Sequence, residues 1–585
     1  MSECHREGAA FSAPKTSACP RARGLRLFAA LLGLIASSPA LGAGGEAPAP
    51  KDDGGGGDTG DARLDEALAA FEAEAPAAAA ARDFSLDASV QLAQRLNIKR
   101  NMLNLDQSFS VGMRSGRLGV TDAENPLNLR FDKDELGYSA LLSARLSARY
   151  RDIGLRLTVD TGELKFEPLV SYDPAPDCAA GDVRCETVTA NGRPIADEAR
   201  ESAFVRELYL HARLGERDWL EFKGGKLLLS AGGGFVMDNY ALGLQAAADL
   251  EEAGAAPIRL ELDAVFPSGD FSAAGKRSPL VYFEAAWLRS WLEEVGLFAG
   301  YFHDGDSNLA EILRSVMLEV VLQSDAAQTA DPRLLYAATL EADIQTEGDL
   351  FYLGVHGNLL FARGSLSWTA AAEFGRFSHV TTLPRMGAFP GVARSGRSEC
   401  LGGMLHLAAH WDLADTLTLG GFFLYLSGET FQADDIRQRN VGRFGSFIGI
   451  YPWITATNLF FSGGMNQTFA ARSLSASGVN ARGVLAPGLT LGWDIVEGLE
   501  LRMVGAALFS QGAHLDSGGR FYGIEADLNL AFELGRHVRI LAEVDYLWTG
   551  DFFDFSKPLE EPAVVRVFVR EPGVFKALLG LDLSF

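Results

Sequence analysis

Ile524-Glu-Ala-Asp-Leu-Asn-Leu-Ala-Phe532, followed across Glu533-Leu-Gly-Arg-His537 by Val538-Arg-Ile-Leu-Ala-Glu-Val-Asp-Tyr-Leu-Trp548, carries the pattern that decides the fold. In the first run Ile524, Ala526, Leu528, Leu530 and Phe532 alternate with Glu525, Asp527, Asn529 and Glu533. In the second, Val538, Ile540, Ala542, Val544, Tyr546 and Trp548 alternate with Arg539, Glu543 and Asp545. A period of two places successive side chains on opposite faces of a strand, so each run has one oily and one wet face. Ala140 to Tyr150 and Ile258 to Phe266 repeat the split. Such runs reach the ~9–11 residues of a tilted membrane-spanning strand, where soluble strands usually hold about 5–6.

A soluble sandwich also alternates, but ring placement and connection lengths separate the chain from one. Tyr150, Trp219, Trp291, Trp411 and Trp493 lie beside short polar turns, the level at which amphipathic rings sit at a membrane interface. The short turns alternate with long polar connections at 168–201, 267–278, 377–398, 428–443 and 549–564, the pattern of short periplasmic and long extracellular links. Beyond residue 43 there is no apolar run of about 18 residues, so helical spans are excluded and a closed barrel is the remaining way to cross lipid with every backbone group paired.

Working back from Phe585, strands are expected near 575–585, 537–548, 521–533, 499–510, 488–495, 416–427, 402–411, 365–376, 350–361, 334–345, 311–322, 294–303, 280–290, 257–266, 239–250, 218–229, 202–214 and 154–167. Ala140–Tyr150 is a nineteenth, so an even count requires a twentieth near 105–115 or one miscounted pair. The expectation is an all-β transmembrane antiparallel barrel of about 18 strands, with 16 to 20 open. Residues 444–480 fit no strand pair and read as a long loop, of a kind that can fold into the lumen.

The other 100 or so residues divide in two. Arg21, Arg23 and Arg26 precede the apolar Leu27–Ala36, and Ala40 and Gly42 supply a small-residue cleavage site, so 1–43 reads as a secretory signal. Residues 44–100 read as a flexible periplasmic linker, with a short helix over Arg63–Glu74 as a place for a periplasmic partner and the barrel occupying 101–585. The whole chain of 585 residues is 48% hydrophobic and 22% charged, which excludes a disordered polymer. Its 52 basic and 76 acidic residues give a net charge of −24, which argues against a nucleic-acid partner because phosphate binding needs a basic footprint.

At the C-terminus, Phe575-Lys-Ala-Leu-Leu-Gly-Leu-Asp-Leu-Ser-Phe585 resembles the closing strand of Gram-negative outer-membrane β-barrel proteins. The resemblance implies an outer-membrane location among lipid, and recognition of Leu581, Leu583 and Phe585 by the barrel-assembly machinery. Arg206-Glu-Leu-Tyr-Leu-His-Ala-Arg-Leu-Gly215, Phe222-Lys-Gly-Gly-Lys226 and Met237-Asp-Asn239 resemble a strand pair and loop of porins and of the alginate-export family, whose barrels are 18-stranded. That family resembles an Arg-rich pore suited to a polyanion, a pattern from which this wall departs.

If the apolar positions face lipid, the alternate positions line the lumen. They hold Asp160, Glu207, Glu221, Glu261, Asp263, Glu341, Asp343, Glu373, Glu500, Glu525, Asp527, Glu543 and Asp545 against Arg145, Arg149, Arg156, Arg213, Lys223, Arg259, Arg502 and Arg539. A carboxylate-rich aqueous lumen favours cations, and Glu525, Asp527, Glu543 and Asp545 on adjacent strands would form its most acidic wall. The alternative is that these charges pair into Arg–carboxylate ladders that stiffen the wall. The expected function is a channel for a small polar solute, neutral or cationic; the alternatives are an exopolysaccharide exporter, an outer-membrane enzyme or an adhesion barrel.

Catalytic motifs are lacking. No Gly-x-Ser-x-Gly occurs, and His406 and His410 on one strand face stand roughly 13 Å apart, too far to share a metal. No catalytic residue, cofactor or metal is therefore expected. Gly232-Gly-Gly234 opens a loop and not a helix, a poor phosphate cradle. In an oxidising compartment Cys178 and Cys185 are expected to clip the 168–201 loop as a disulfide, leaving Cys400 unpaired.

Overall fold

The computed structural model describes residues 84–585 except 101–134, 162–163, 172–203, 268–277, 290–291, most of 311–340, 431–442, 462–477, 514–517, 554–572 and a few single positions. The signal, the 44–83 part of the linker, the strands suggested at 105–115 and 311–322, Trp291 and both Cys178 and Cys185 lie outside the described residues.

Strands follow one another along the chain as β1 (Phe84–Arg100), β2 (Glu135–Tyr150), β3 (Ile153–Asp160), β4 (Leu164–Ser171), β5 (Phe204–Leu214), β6 (Leu220–Ala231) and β7 (Met237–Asp249). Next come β8 (Ile258–Phe266), β9 (Leu280–Arg289), β10 (Leu292–Asp304), β11 (Asp343–Phe361), β12 (Gly364–Leu383), β13 (Val392–Ala414) and β14 (Leu417–Leu426). The last are β15 (Arg443–Phe444), β16 (Val484–Val496), β17 (Leu499–Phe509), β18 (Phe521–Leu534), β19 (Val538–Thr549) and β20 (Gly573–Ser584). All twenty belong to one sheet. β3 and β4 both pair with β2 and form two halves of one wall strand, while the two-residue β15 pairs with β13 in parallel. The wall therefore has eighteen antiparallel strands.

Closure comes from a strand the sequence reading gave to the linker. β1 pairs with β2 from Phe84↔Tyr150 to Lys99↔Glu135 and with β20 from Gln91↔Ser584 to Arg100↔Phe575. Its alternation was present in Leu86, Val90, Leu92, Leu96 and Ile98 against Gln91, Arg95 and Asn97, but short polar side chains surround it. A second correction balances the count: β10 pairs directly with β11, which starts only at Asp343, so the two wall strands expected at 311–322 and 334–345 do not stand between them. The expected 377–398 connection is also mostly strand, because β12 runs to Leu383 and β13 begins at Val392.

Both faces follow from the alternation. Leu210, Leu244, Leu262, Leu297, Leu401 and Leu489 stand exposed on the outside, an arrangement that is stable when lipid rather than water is the solvent. Exposed Tyr150, Trp287, Trp411 and Trp493 ring the short-turn end and Trp548 the other. No described helix is long and apolar enough to cross a membrane. Inside, a continuous apolar core joins wall residues from β6 to β20, including Leu229, Tyr282, Tyr352, Leu424 and Leu547, to non-strand residues Phe235, Phe447, Ile448, Ile450 and Phe460. A barrel of this width usually holds a water-filled lumen; here part of it is packed solid.

Candidate functional site: a loop-divided barrel interior

Among the connections that enter the interior core, two meet inside the barrel. Between β6 and β7, Gly232, Gly233 and Gly234 take φ of 60°, 64° and 87°, a left-handed run that glycine adopts without Cβ strain. The chain thereby turns inward. Gly232 N–H donates to the Tyr282 hydroxyl oxygen at 3.0 Å and the Phe235 ring meets His406 on the opposite wall at 5.3 Å.

Between β14 and β16 the chain crosses to meet it. Phe447 N–H donates to Ser427 O at 3.0 Å, and Ile450 N–H donates to Val236 O at 2.6 Å, which ties the two loops together. Ile448 is gripped from both sides: its N–H donates to Glu373 Oε2 at 2.6 Å and its carbonyl accepts from Tyr352 at 2.9 Å. Glu429 accepts the N–H groups of Gly445 and Ser446 at 2.5 and 3.0 Å. The expectation of a long loop entering the lumen is met for the described part of 444–480.

The tip of this loop rests on the wall read as the most acidic. Glu525 accepts from Leu459 N–H at 2.5 Å, Phe460 N–H at 3.1 Å and the Thr457 hydroxyl at 2.8 Å. Asn458 N–H donates to Asp527 at 3.0 Å, while its Nδ2 donates to Asn529 at 3.1 Å and Asp545 at 2.7 Å. Lys576, on β20, bridges Glu543 and Asp545, the latter at 3.3 Å. Glu373, Glu525, Asp527, Glu543 and Asp545 are all buried, none more than 3% exposed. These carboxylates do not present charge to a lumen, which corrects the sequence reading. Buried carboxylates need donors, and the loop's backbone supplies them.

On the rest of the wall the ladder alternative describes the pattern, with buried Asp160 and Glu207 held by part-exposed arginines. Arg156 bonds Glu207 at 3.1 Å, with the Thr158 hydroxyl on the same oxygen at 2.7 Å. Arg206 meets Asp160 at 2.9 Å. Glu221 is shared by Arg213 at 3.4 Å and Lys223 at 3.5 Å, and Glu261 by Arg259 at 3.2 Å and Gln245 at 2.9 Å. Arg145 and Arg149 lie on the same inward face of β2. The strands from β2 to β8 thus form an arc of opposed charges facing the packed side.

Other expected lumen residues fall elsewhere. Glu341 and Asp343 are exposed; Ile344 and Thr346 are buried, so Asp343 is on the outer face, a correction to their assignment. Glu500 and Arg502 point inward but are exposed near the short-turn end, and Arg539 is half-buried there. Cys400 is buried and free. The sequence reading missed Lys576, Glu429 and Asn458 as anchors. Lys576 was detectable as the basic residue on the wet face of the closing strand; Asn458 and Glu429 lie in loop sequence without periodicity.

An eighteen-stranded closed sheet with an apolar outer belt, aromatic rings at both rims and loops folded into its interior is a transmembrane β-barrel of the outer-membrane type. No family model and no curated protein matches the chain. Among solved structures it is similar to OccK9 (OpdG) of Pseudomonas aeruginosa, at 14% identity over 85% of this chain and 98% of that one with a TM-score of 0.39. OpdK of the same organism, solved with vanillate, gives 11% identity, 85% and 98% coverage and a TM-score of 0.41. Pseudomonas aeruginosa OpdL gives 11%, 86%, 99% and 0.40.

Proposed function

We propose that the protein is an outer-membrane channel for small polar solutes, with the passage running along the charged arc of β2 to β8 and the inward loops setting its width. The observation that carries the reading is the anchoring of residues 445–460 on Glu373, Glu525, Asp527 and Asp545. Many directional bonds hold a loop across a barrel, which is how a wide aqueous opening becomes a narrow one. The arc alternates Arg or Lys with carboxylate, so a neutral or zwitterionic solute meets partners for both ends. Burial of the acidic wall removes the main basis for a strong cation preference. Packing of the interior from β6 to β20 also leaves little room for the exopolysaccharide alternative.

The test is reconstitution of the refolded full chain in planar bilayers and in liposomes loaded with sugars and amino acids of graded size. Small steps and size-limited solute flux are expected, and replacing residues 445–461 by a short Gly-Ser link should enlarge the conductance several-fold. Absence of both conductance and solute flux in the replaced form would overturn the channel reading.

A further inference from the structure

Apart from the ladder and the loop anchors, one grouping on the inner wall has the composition of a metal site. Glu284 on β9, Glu294 on β10 and His356 on β11 each offer a donor atom, and these atoms all lie within 4.8 Å of one another. His356 Nε2 stands 3.1 Å from Glu284 Oε1. Donors about 2.0–2.2 Å from one ion stand roughly 3–3.5 Å apart, a spacing that the His356–Glu284 pair already has.

The backbone is arranged for the grouping. His356 and Ala286 face Gly296 from either side of β10, and a Cβ on Gly296 would lie 2.1 Å from His356 Nε2. The missing side chain lets the imidazole cross β10 to reach Glu284. Phe298 flanks the ring at 6.3 Å, and the Tyr282 hydroxyl bonds the other oxygen of Glu284, fixing the carboxylate's direction. Next to it on β8, Glu261 faces Glu284 in register, and Asp263 on the same strand is fully buried. Carboxylates buried this close together are costly, and a nearby divalent charge would compensate them.

We propose that Glu284, Glu294 and His356 bind one divalent first-row transition-metal ion on the inner wall. The imidazole selects against magnesium and calcium, which prefer oxygen alone. Glu284 and His356 are each about one-fifth exposed, at 20% and 17%, which leaves the outer positions of the ion to water. This assignment does not depend on whether the barrel conducts.

The test is titration of the refolded full chain in detergent micelles with Co2+, followed by its visible absorption, and then displacement by Zn2+. One ion per chain is expected, with no displacement by millimolar Mg2+. Glu294→Gln and His356→Asn should each weaken binding at least tenfold while the heat-modifiable gel shift of a folded barrel persists. On the unsubstituted protein, Zn2+ should protect His356 from diethyl pyrocarbonate, read by mass spectrometry; this needs no variant to fold. Absence of stoichiometric binding, binding unchanged in both variants, equal displacement by Mg2+, or no protection of His356 would each overturn the assignment.

Discussion

Asn458 Nδ2 donates to Asp545 Oδ1 across the barrel interior at 2.7 Å, joining a loop tip to a wall strand 87 residues later. The same side chain reaches Asn529, and its backbone N–H reaches Asp527. Its carbonyl accepts from Lys576 Nζ at 3.4 Å, so one residue fastens the loop to three strands, β18, β19 and β20. Asn458→Ala removes two side-chain bonds, one of them to a buried carboxylate, and bonds of that kind are worth about 1.5–3 kcal/mol each. The loop should loosen without loss of the barrel. Single-channel recordings should show larger or noisier open steps, and limited proteolysis should cut within 445–461 faster than in the unsubstituted protein.

Glu525 carries three of the tip's bonds on one carboxylate. Glu525→Gln keeps the shape but replaces one acceptor oxygen by an NH2 that faces N–H donors. The variant should resemble the loosened form more than Asn458→Ala does. Proteolytic half-life of the loop, compared across the two variants at equal protease, decides the order.

Glu543 and Asp545 separate the two readings of the acidic wall. If they lined open water, neutralising both would shift the reversal potential toward anions. In the fold they are buried around Lys576, and removing the partners of a buried charge costs about 3–5 kcal/mol. The Glu543→Gln, Asp545→Asn double variant should therefore lower the thermal midpoint of the heat-modifiable transition while moving the reversal potential little. A large potential shift at unchanged stability would show that these carboxylates face the passage.

The arc makes the opposite forecast. Arg156 is partly exposed and pairs with Glu207, so Arg156→Ala uncovers a carboxylate next to the passage. Permeability under a KCl gradient should move toward cations, and the movement should shrink in high salt as the exposed charge is screened. No change in reversal potential would remove this arc from the permeation path.

Strand alternation made the barrel legible, since one face must suit lipid and the other cannot, and the parity along β18 and β19 placed Glu525, Asp527, Glu543 and Asp545 inward as expected. What the alternation could not convey was what lay against that inner face. Inward and wet are the same statement only when no chain fills the interior, and the chain against the acidic wall is the 444–461 connection, whose role depends on contacts with strands far away in sequence. Asp343 was misplaced for a different reason: a strand beginning at 334 was assumed, and an error in where a strand begins leaves the side-chain parity unsupported by its neighbours. His356 and Glu284 were invisible because they are brought together by Gly296 on a strand between them, a relation that no spacing encodes.

The seam supplies the last prediction. β1 is the strand that the composition of 44–100 concealed, and it covers the edges of both β2 and β20. Its inward Arg95 pairs with Asp582 on β20, and Val90 exchanges backbone hydrogen bonds with Phe585 at 3.1 and 2.9 Å. A chain from which residues 84–100 are deleted would leave two long strand edges unpaired in lipid, where each orphaned peptide group costs several kcal/mol. Such a chain should give no heat-modifiable band and no conductance, whereas Arg95→Ala, which keeps the backbone ladder, should still close and only lower the thermal midpoint. Normal folding of the deleted form, read by the gel shift and by β-sheet circular dichroism, would return 84–100 to the linker and reopen the strand count.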